Sequence, residues 1–229
     1  MSRTSDPDQP IRPAATVILW RDGPEGPSVL MGQRGAAAAF MPSKFVFPGG
    51  AVDPADAGVT LAVGLAPLSS ARLAQGSDGP APATLAAAAI RELWEETGLA
   101  LAVPGVWSPA HDAGEDWARM AARRLKPCAR AMRFVFRAIT PPGRSRRFDA
   151  RFFLVPATAI AGDAGDVSAA SGELSHLQWI APGQARALDL PFITEVVLAE
   201  VAQLLGGGGD AGVPFFDNSG DQPRFRRLI

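Results

Sequence analysis

The chain has 229 residues, the length of one generous domain. Hydrophobic residues make up 47% and charged residues 20%, which supplies a core and excludes a disordered chain. The 22 Lys and Arg residues against 23 Asp and Glu residues leave a net charge of −1, which excludes non-specific nucleic-acid binding as the main task. The lone Cys128 rules out an internal disulfide framework and a multi-cysteine zinc site, so a reducing compartment fits best. Residues 1–13 are polar and proline-rich and read as a flexible N-terminus. No stretch approaches the roughly 18 uninterrupted apolar residues of a membrane span. The expectation is a cytoplasmic protein without a membrane or nucleic-acid partner; a homodimer is left open.

In chain order, residues 14–21 (AATVILWR) and 28–34 (SVLMGQR) flank DGPEGP and predict a β-hairpin. Residues 45–47 predict a short strand that stops at Pro48-Gly49-Gly50. The Ala-, Gly- and Pro-rich stretch that follows reads as an insertion over about 57–83 with one short helix. Residues 84–97 predict a strong helix, with Thr84 capping its start and Gly98 its end. Residues 115–125 read as helix, 132–139 and 151–155 as strands joined through Pro141-Pro142-Gly143, and 176–180 as a last strand. Helices over 182–188 and 192–205 follow. The glycine run 206–209 reads as the start of a mobile tail over 206–229, from which the apolar run 213–216 and Phe225 can dock on the body. Strands interleaved with helices imply a layered α/β (α+β) domain spanning 14–205.

The chemistry concentrates in the helix. At about 100° per residue, Glu92, Glu95 and Glu96 share an arc of roughly 100°, with Ile90 and Trp94 opposite. Three like charges this close repel unless a cation offsets them, and a hard divalent ion suits carboxylate oxygens. Upstream, Gly49-Gly50 lets backbone approach a ligand closely, so the Gly50 carbonyl can join the same metal.

RELWEETGL at residues 91–99 resembles the second half of the Nudix box, G-x5-E-x7-R-E-U-x-E-E-x-G-U with U aliphatic. The first half departs. Counted from Gly50, the first glutamate position falls on Asp56; counted back from Arg91, it falls on Ala83. Gly50 and Arg91 are 41 positions apart where the box allows 14, so about 27 residues interrupt it. AFMPSKFVFPGGAVDPAD, ITPPGRSRRFDARFFL and the segment from Glu173 through Trp179 to Pro182 are similar to the peroxisomal coenzyme A diphosphatase branch of that family.

The resemblance implies a Nudix-type α/β/α sandwich with a mixed sheet and a catalytic loop-helix-loop. It implies hydrolysis of a nucleoside diphosphate-linked small molecule at its pyrophosphate bond with Mg²⁺ or Mn²⁺, coenzyme A or an acyl-coenzyme A in the lead. An ADP-ribose or nucleotide-sugar diphosphatase is the alternative, and a non-catalytic nucleotide sensor a third. By position, Gly50, Glu92, Glu95 and Glu96 are metal ligands, Glu92 a ligand or base, and Arg91 a fork that orients a glutamate. Glu173 is a further acid, ligand or base. Arg34, Arg146 and Arg147 (with Arg144 beside them) are substrate-phosphate candidates; His176 and Cys128 read as spectators.

Overall fold

The structure is a computed structural model that describes residues 9–76, 79–110, 113–220 and 222–229. The predicted hairpin is β1 (Ile11–Gly23) with β2 (Gly26–Arg34), paired antiparallel up to a two-residue turn at Pro24-Glu25. Strand β1 therefore begins inside the stretch expected to be a flexible N-terminus; residues 1–8 of that expectation lie outside the described residues. Gly26 at φ +102° lets the ladder run further into the glycine-rich loop than the apolar pattern indicates.

Short strands β3 (Phe45–Val46) and β4 (Gly49–Ala51) follow. The glycines expected to end a strand thus form one of their own, because Ala14, Ala15 and Thr16 of β1 pair with Ala51, Gly50 and Gly49. A 3-10 turn over Pro54–Gly58 leads to α1 (Pro67–Ala74), the one short helix expected in the insertion. This segment is tied down. Leu73 is buried, and Ser69 Oγ accepts from the Phe134 amide at 3.3 Å. None of the described residues among 57–83 lines the main cavity.

Helix α2 (Pro82–Thr97) starts earlier than expected. Pro82 presets the first turn and Ala81 occupies the cap position, so Thr84 lies inside the helix and caps nothing. Gly98, at φ 75°, closes the helix as predicted. Strand β5 (Ala102–Pro104), α3 (Glu115–Ala122) and β6 (Leu125–Pro127) come next; the predicted helix stops short because Arg124 turns left-handed at φ 56° and β6 pairs with β5. Then come β7 (Arg133–Ile139), β8 (Arg147–Pro156), β9 (Leu174–Ile180), α4 (Pro182–Ala185) and α5 (Phe192–Leu205). Helix α4 is shorter than the 182–188 predicted, since its chain opens toward Pro191 and the start of α5.

The residues after the glycine run are not a tail. They form β10 (Val213–Asp217), parallel to β7, and β11 (Arg224–Leu228). Phe215 explains why: it is fully buried, with the Arg137 guanidinium 4.2 Å and that of Arg226 4.6 Å from its ring centroid.

The mixed sheet runs β11-β10-β7-β8-β1-β2-β3, with β4 also on β1 and β9 on β2. Strand β1 pairs with β8 along its length, but on its other edge with β4 first and β2 later, so the sheet forks there. Val17 and Leu19 join a core with α2, while Ile18 joins a second core with Val197, Leu198 and Val201 of α5. Burial on both faces accounts for the unbroken apolar run. Helices cover both faces, the expected α/β/α arrangement. Among the described residues no helix is long and apolar enough to cross a membrane.

Candidate active site

Helix α2 is anchored by a smooth stripe. Ala86 to Ala89 are all fully buried, as are Ile90 and Leu93, so the helix sits close against the sheet. Its last turn is fixed by Thr97, whose hydroxyl donates to the Leu93 carbonyl at 2.5 Å and accepts from the Leu99 amide at 3.1 Å. That anchoring presents the acidic face to the fork beside β4.

Glu92 and Glu96 both meet Gly49-Gly50 of β4. A Cβ on Gly50 would fall 2.5–2.6 Å from the Glu92 carboxyl atoms, so only glycine leaves room. Glu96, 2% exposed, accepts from the Gly49 amide at 2.8 Å. Glu95 is more open and turns toward Arg91. The three carboxyls thus line one edge without forming one cage. Among the described residues no group of three or more His, Cys, Asp or Glu side chains is gathered closely enough to hold a metal ion.

Arg91 accounts for the spread. Its Nη1 donates to Glu92 Oε1 and to Glu95 Oε2, both at 2.9 Å. Its Nε and Nη2 fork onto Asp56 at 2.9 and 3.0 Å, and Nη2 also donates to the Ala51 carbonyl at 3.0 Å. All five N–H donors of the guanidinium are used. Asp56 is buried and accepts in addition from the Asp53 amide at 2.8 Å, while Asp53 caps the 3-10 turn through Ala55. A whole turn is therefore organised to hold one carboxylate under Arg91.

The electrostatics follow from burial. Desolvation pushes Glu92 up to about 7 against the pull of Arg91, with Glu95 and Glu173 adding to the rise. Glu96 is pushed up to about 8, chiefly by burial, although the Gly49 amide opposes it. Glu95 is raised by burial and then by Asp116. Burial works against the Arg91 charge, but Asp56 and Glu92 overcome it and hold the guanidinium above its ordinary range.

A cavity of about 850 Å³ opens beside these groups, lined at this end by Gly50, Arg91, Glu92, Glu95, Arg34 and Glu173. Arg34, at the end of β2, donates through Nη2 to exposed Glu173 at 3.2 Å. Both sequence candidates thus reach the mouth. The basic hairpin loop divides. Arg146 lines the cavity with Arg144, but Arg147 is 6% exposed and donates to the carbonyls of Thr140 (3.1 Å) and Asn218 (2.8 Å). As the first residue of β8 it points between strands, and it joins the C-terminal segment to the sheet rather than meeting a ligand. His176 stays outside the cavity lining with its ring nitrogen on Ser175, and Cys128 is buried.

No protein-family model matches the chain. A NUDIX hydrolase from Alicyclobacillus acidocaldarius is similar at 30% identity, over 85% of this chain and 93% of that one, with a TM-score of 0.64. The chain belongs to the Nudix hydrolase family. A Caenorhabditis elegans protein named as nudix hydrolase 7 is 29% identical over 163 residues, 67% of this chain; the chain spans about half the length of that relative (46%).

Within this Nudix chain, two contributors escape a reading by motif. Asp56 is where the count from Gly50 lands, yet its role shows only once Arg91 closes on it across the interruption. Phe216, which lines the cavity from β10, lies beyond the glycine run. Its signal was the apolar run 213–216, too short to place without its partner strand.

Proposed function

We propose that the chain hydrolyses a nucleoside diphosphate-linked small molecule at the phosphoanhydride, with coenzyme A or an acyl-coenzyme A as the substrate. The observation that carries the reading is the Arg91 clamp, which sets Glu92 and Glu95 side by side at the cavity next to Gly50. The donors suit a hard cation, being carboxylates and the Gly50 carbonyl. Glu92 and Glu96 are also buried acids, offset by Arg91 at Glu92 and by the Gly49 amide and the Arg34 charge at Glu96, so a divalent ion would relieve them. Glu92, Glu95, Glu96 and Gly50 would hold Mg²⁺ or Mn²⁺ once the carboxyls, which stand apart on Arg91 and the Gly49 amide, turn toward one ion. The ion would shield the diphosphate and make bound water more acidic.

The chain's own groups do the rest. Arg91, fixed by Asp56, keeps two carboxylates in register and does not touch substrate. Glu173, open to the cavity and steadied by Arg34, receives the proton of the attacking water. Arg12, Arg144 and Arg146 line the same cavity and fit the further phosphate that coenzyme A carries on its ribose. Water adds to one phosphorus, the bridging bond breaks, and a 4′-phosphopantetheine-type product leaves with adenosine 3′,5′-bisphosphate. Steady-state rates on coenzyme A, dephospho-coenzyme A and ADP-ribose with Mg²⁺ or Mn²⁺ test this. The reading requires the highest kcat/KM on coenzyme A and a loss when its 3′-phosphate is removed; faster cleavage of ADP-ribose overturns the substrate assignment.

A further inference from the structure

The cavity floor carries a pattern that the Nudix box does not account for. Reading straight across the sheet, Ala51 of β4 pairs with Ala14 of β1, Ala14 with Ala150 of β8, and Ala150 with Ala138 of β7. Ala138 pairs with Phe216 of β10. All five residues line the cavity. At the usual spacing of about 4.8 Å between neighbouring strands, four steps carry this row about 19 Å from the carbonyl that Arg91 grips to an aromatic ring.

The row is a trough. Along β8 the residues two positions either side of Ala150 are Phe148 and Phe152, both on the cavity, so bulky rings bound a floor of methyl groups. Phe192, at the start of α5 and 69% exposed, lines the same cavity from the helical side. The row carries no charged side chain. Its middle strands have neighbours on both edges, so their amides and carbonyls are spent on the ladder and cannot serve a sugar hydroxyl or the edge of a base. A polar group laid on the row itself would lose water and find no backbone partner, the polar side chains of the lining standing beside the row at Arg12, Thr16, Thr140 and Asn218.

We propose that the group joined to the diphosphate opposite the nucleoside is an extended arm whose low-polarity length lies along Ala51–Ala14–Ala150–Ala138 and ends against Phe216. This rests on the hydrolase reading and adds to it which part of the substrate the sheet selects. Phe216 is the specificity-determining residue, and it is supplied by the strand beyond the glycine run.

The test uses the full chain with Mg²⁺ and P²-alkyl esters of 3′-phosphoadenosine 5′-diphosphate bearing methyl, butyl, octyl and dodecyl arms. Water adds across the phosphoanhydride, so each ester gives adenosine 3′,5′-bisphosphate and the alkyl monophosphate. Burial of each further methylene lowers KM about two- to fourfold until the arm fills the trough, so octyl should exceed methyl in kcat/KM by at least thirtyfold. In Ala150→Leu, which blocks the floor, and in Phe216→Ala, which removes its end, the octyl-to-methyl ratio should fall at least tenfold. The wild-type series stands by itself if a variant does not fold. Cleavage of all four esters at equal kcat/KM, or an unchanged ratio in both variants, overturns the trough while leaving the hydrolase in place. Cleavage of none overturns the hydrolase reading, and the trough with it.

Discussion

Arg91 and Asp56 are 35 positions apart in the chain and meet in a two-point fork, with Nε to Oδ1 at 2.9 Å and Nη2 to Oδ2 at 3.0 Å. The fork closes those 35 positions in space, with the acid at the place where the count from Gly50 puts it. Because Asp56 is shielded from water, removing it leaves a buried guanidinium with two of its five hydrogen bonds gone. Asp56→Ala should cost about 3–5 kcal/mol, read as a fall in Tm or in the urea midpoint. Arg91→Lys keeps the charge but loses the fork, and should lower kcat at least tenfold while KM changes little. If Arg91→Lys turns over like the parent, the clamp does not position the carboxylates.

Gly50 supplies a second test, because its missing side chain is what admits Glu92. In Gly50→Ala the new methyl group would lie 2.5–2.6 Å from the Glu92 carboxyl, which must swing out of the Arg91 contact. The expected result is a folded protein with a far-UV spectrum like the parent's and kcat reduced at least tenfold. Full activity would show that the position of Glu92 is immaterial.

The buried acids make stability depend on pH in an uncommon direction. Glu92 and Glu96 rise on folding from 4.5 to about 7 and about 8, so between these values the folded chain holds more protons than the unfolded one. Stability is therefore full near pH 4.5 and falls as pH climbs toward 8. Without divalent ions, Tm should drop between pH 5 and 8.5, and a loss of about 2 kcal/mol would appear as roughly 4–8 °C. Glu96→Gln should flatten the profile. Mg²⁺ or Mn²⁺ added at pH 8 should raise Tm by binding the folded state. A flat profile in chelator removes the case for carboxyls strained by burial.

The C-terminal strands give a prediction about folding. Deleting residues 207–229 strips β10 from β7 and removes Phe215, Val213 and Leu228 from the core. The shortened chain should lose its cooperative thermal transition or aggregate. A sharp transition within a few degrees of the parent would mean that these strands are accessory.

How much of this was legible in the residues follows from where the signals were local. The hairpin, the acidic helix, its Gly98 stop and α5 announce themselves through apolar periodicity and breakers, and all four are present. The approach of Glu92 and Glu96 to Gly49-Gly50 was also readable from helix geometry and the paired glycines. Other features depend on partners far along the chain. Residues 206–229 look like a tail because the run of glycines hides two short strands whose stability comes from β7. Thr84 looks like a cap because Pro82, two residues earlier, starts the helix first. Arg147 looks like a phosphate ligand until Thr140 and Asn218 take its donors.

The central claim is that the carboxylates beside Gly50 serve phosphoanhydride hydrolysis. It is tested most directly by following coenzyme A with phosphorus NMR in Mg²⁺, with the parent and Glu92→Gln side by side. The account predicts that the diphosphate signals of the substrate give way to monoester signals with the parent and persist with Glu92→Gln. Diphosphate signals that persist with the parent, or vanish equally fast with both, contradict it.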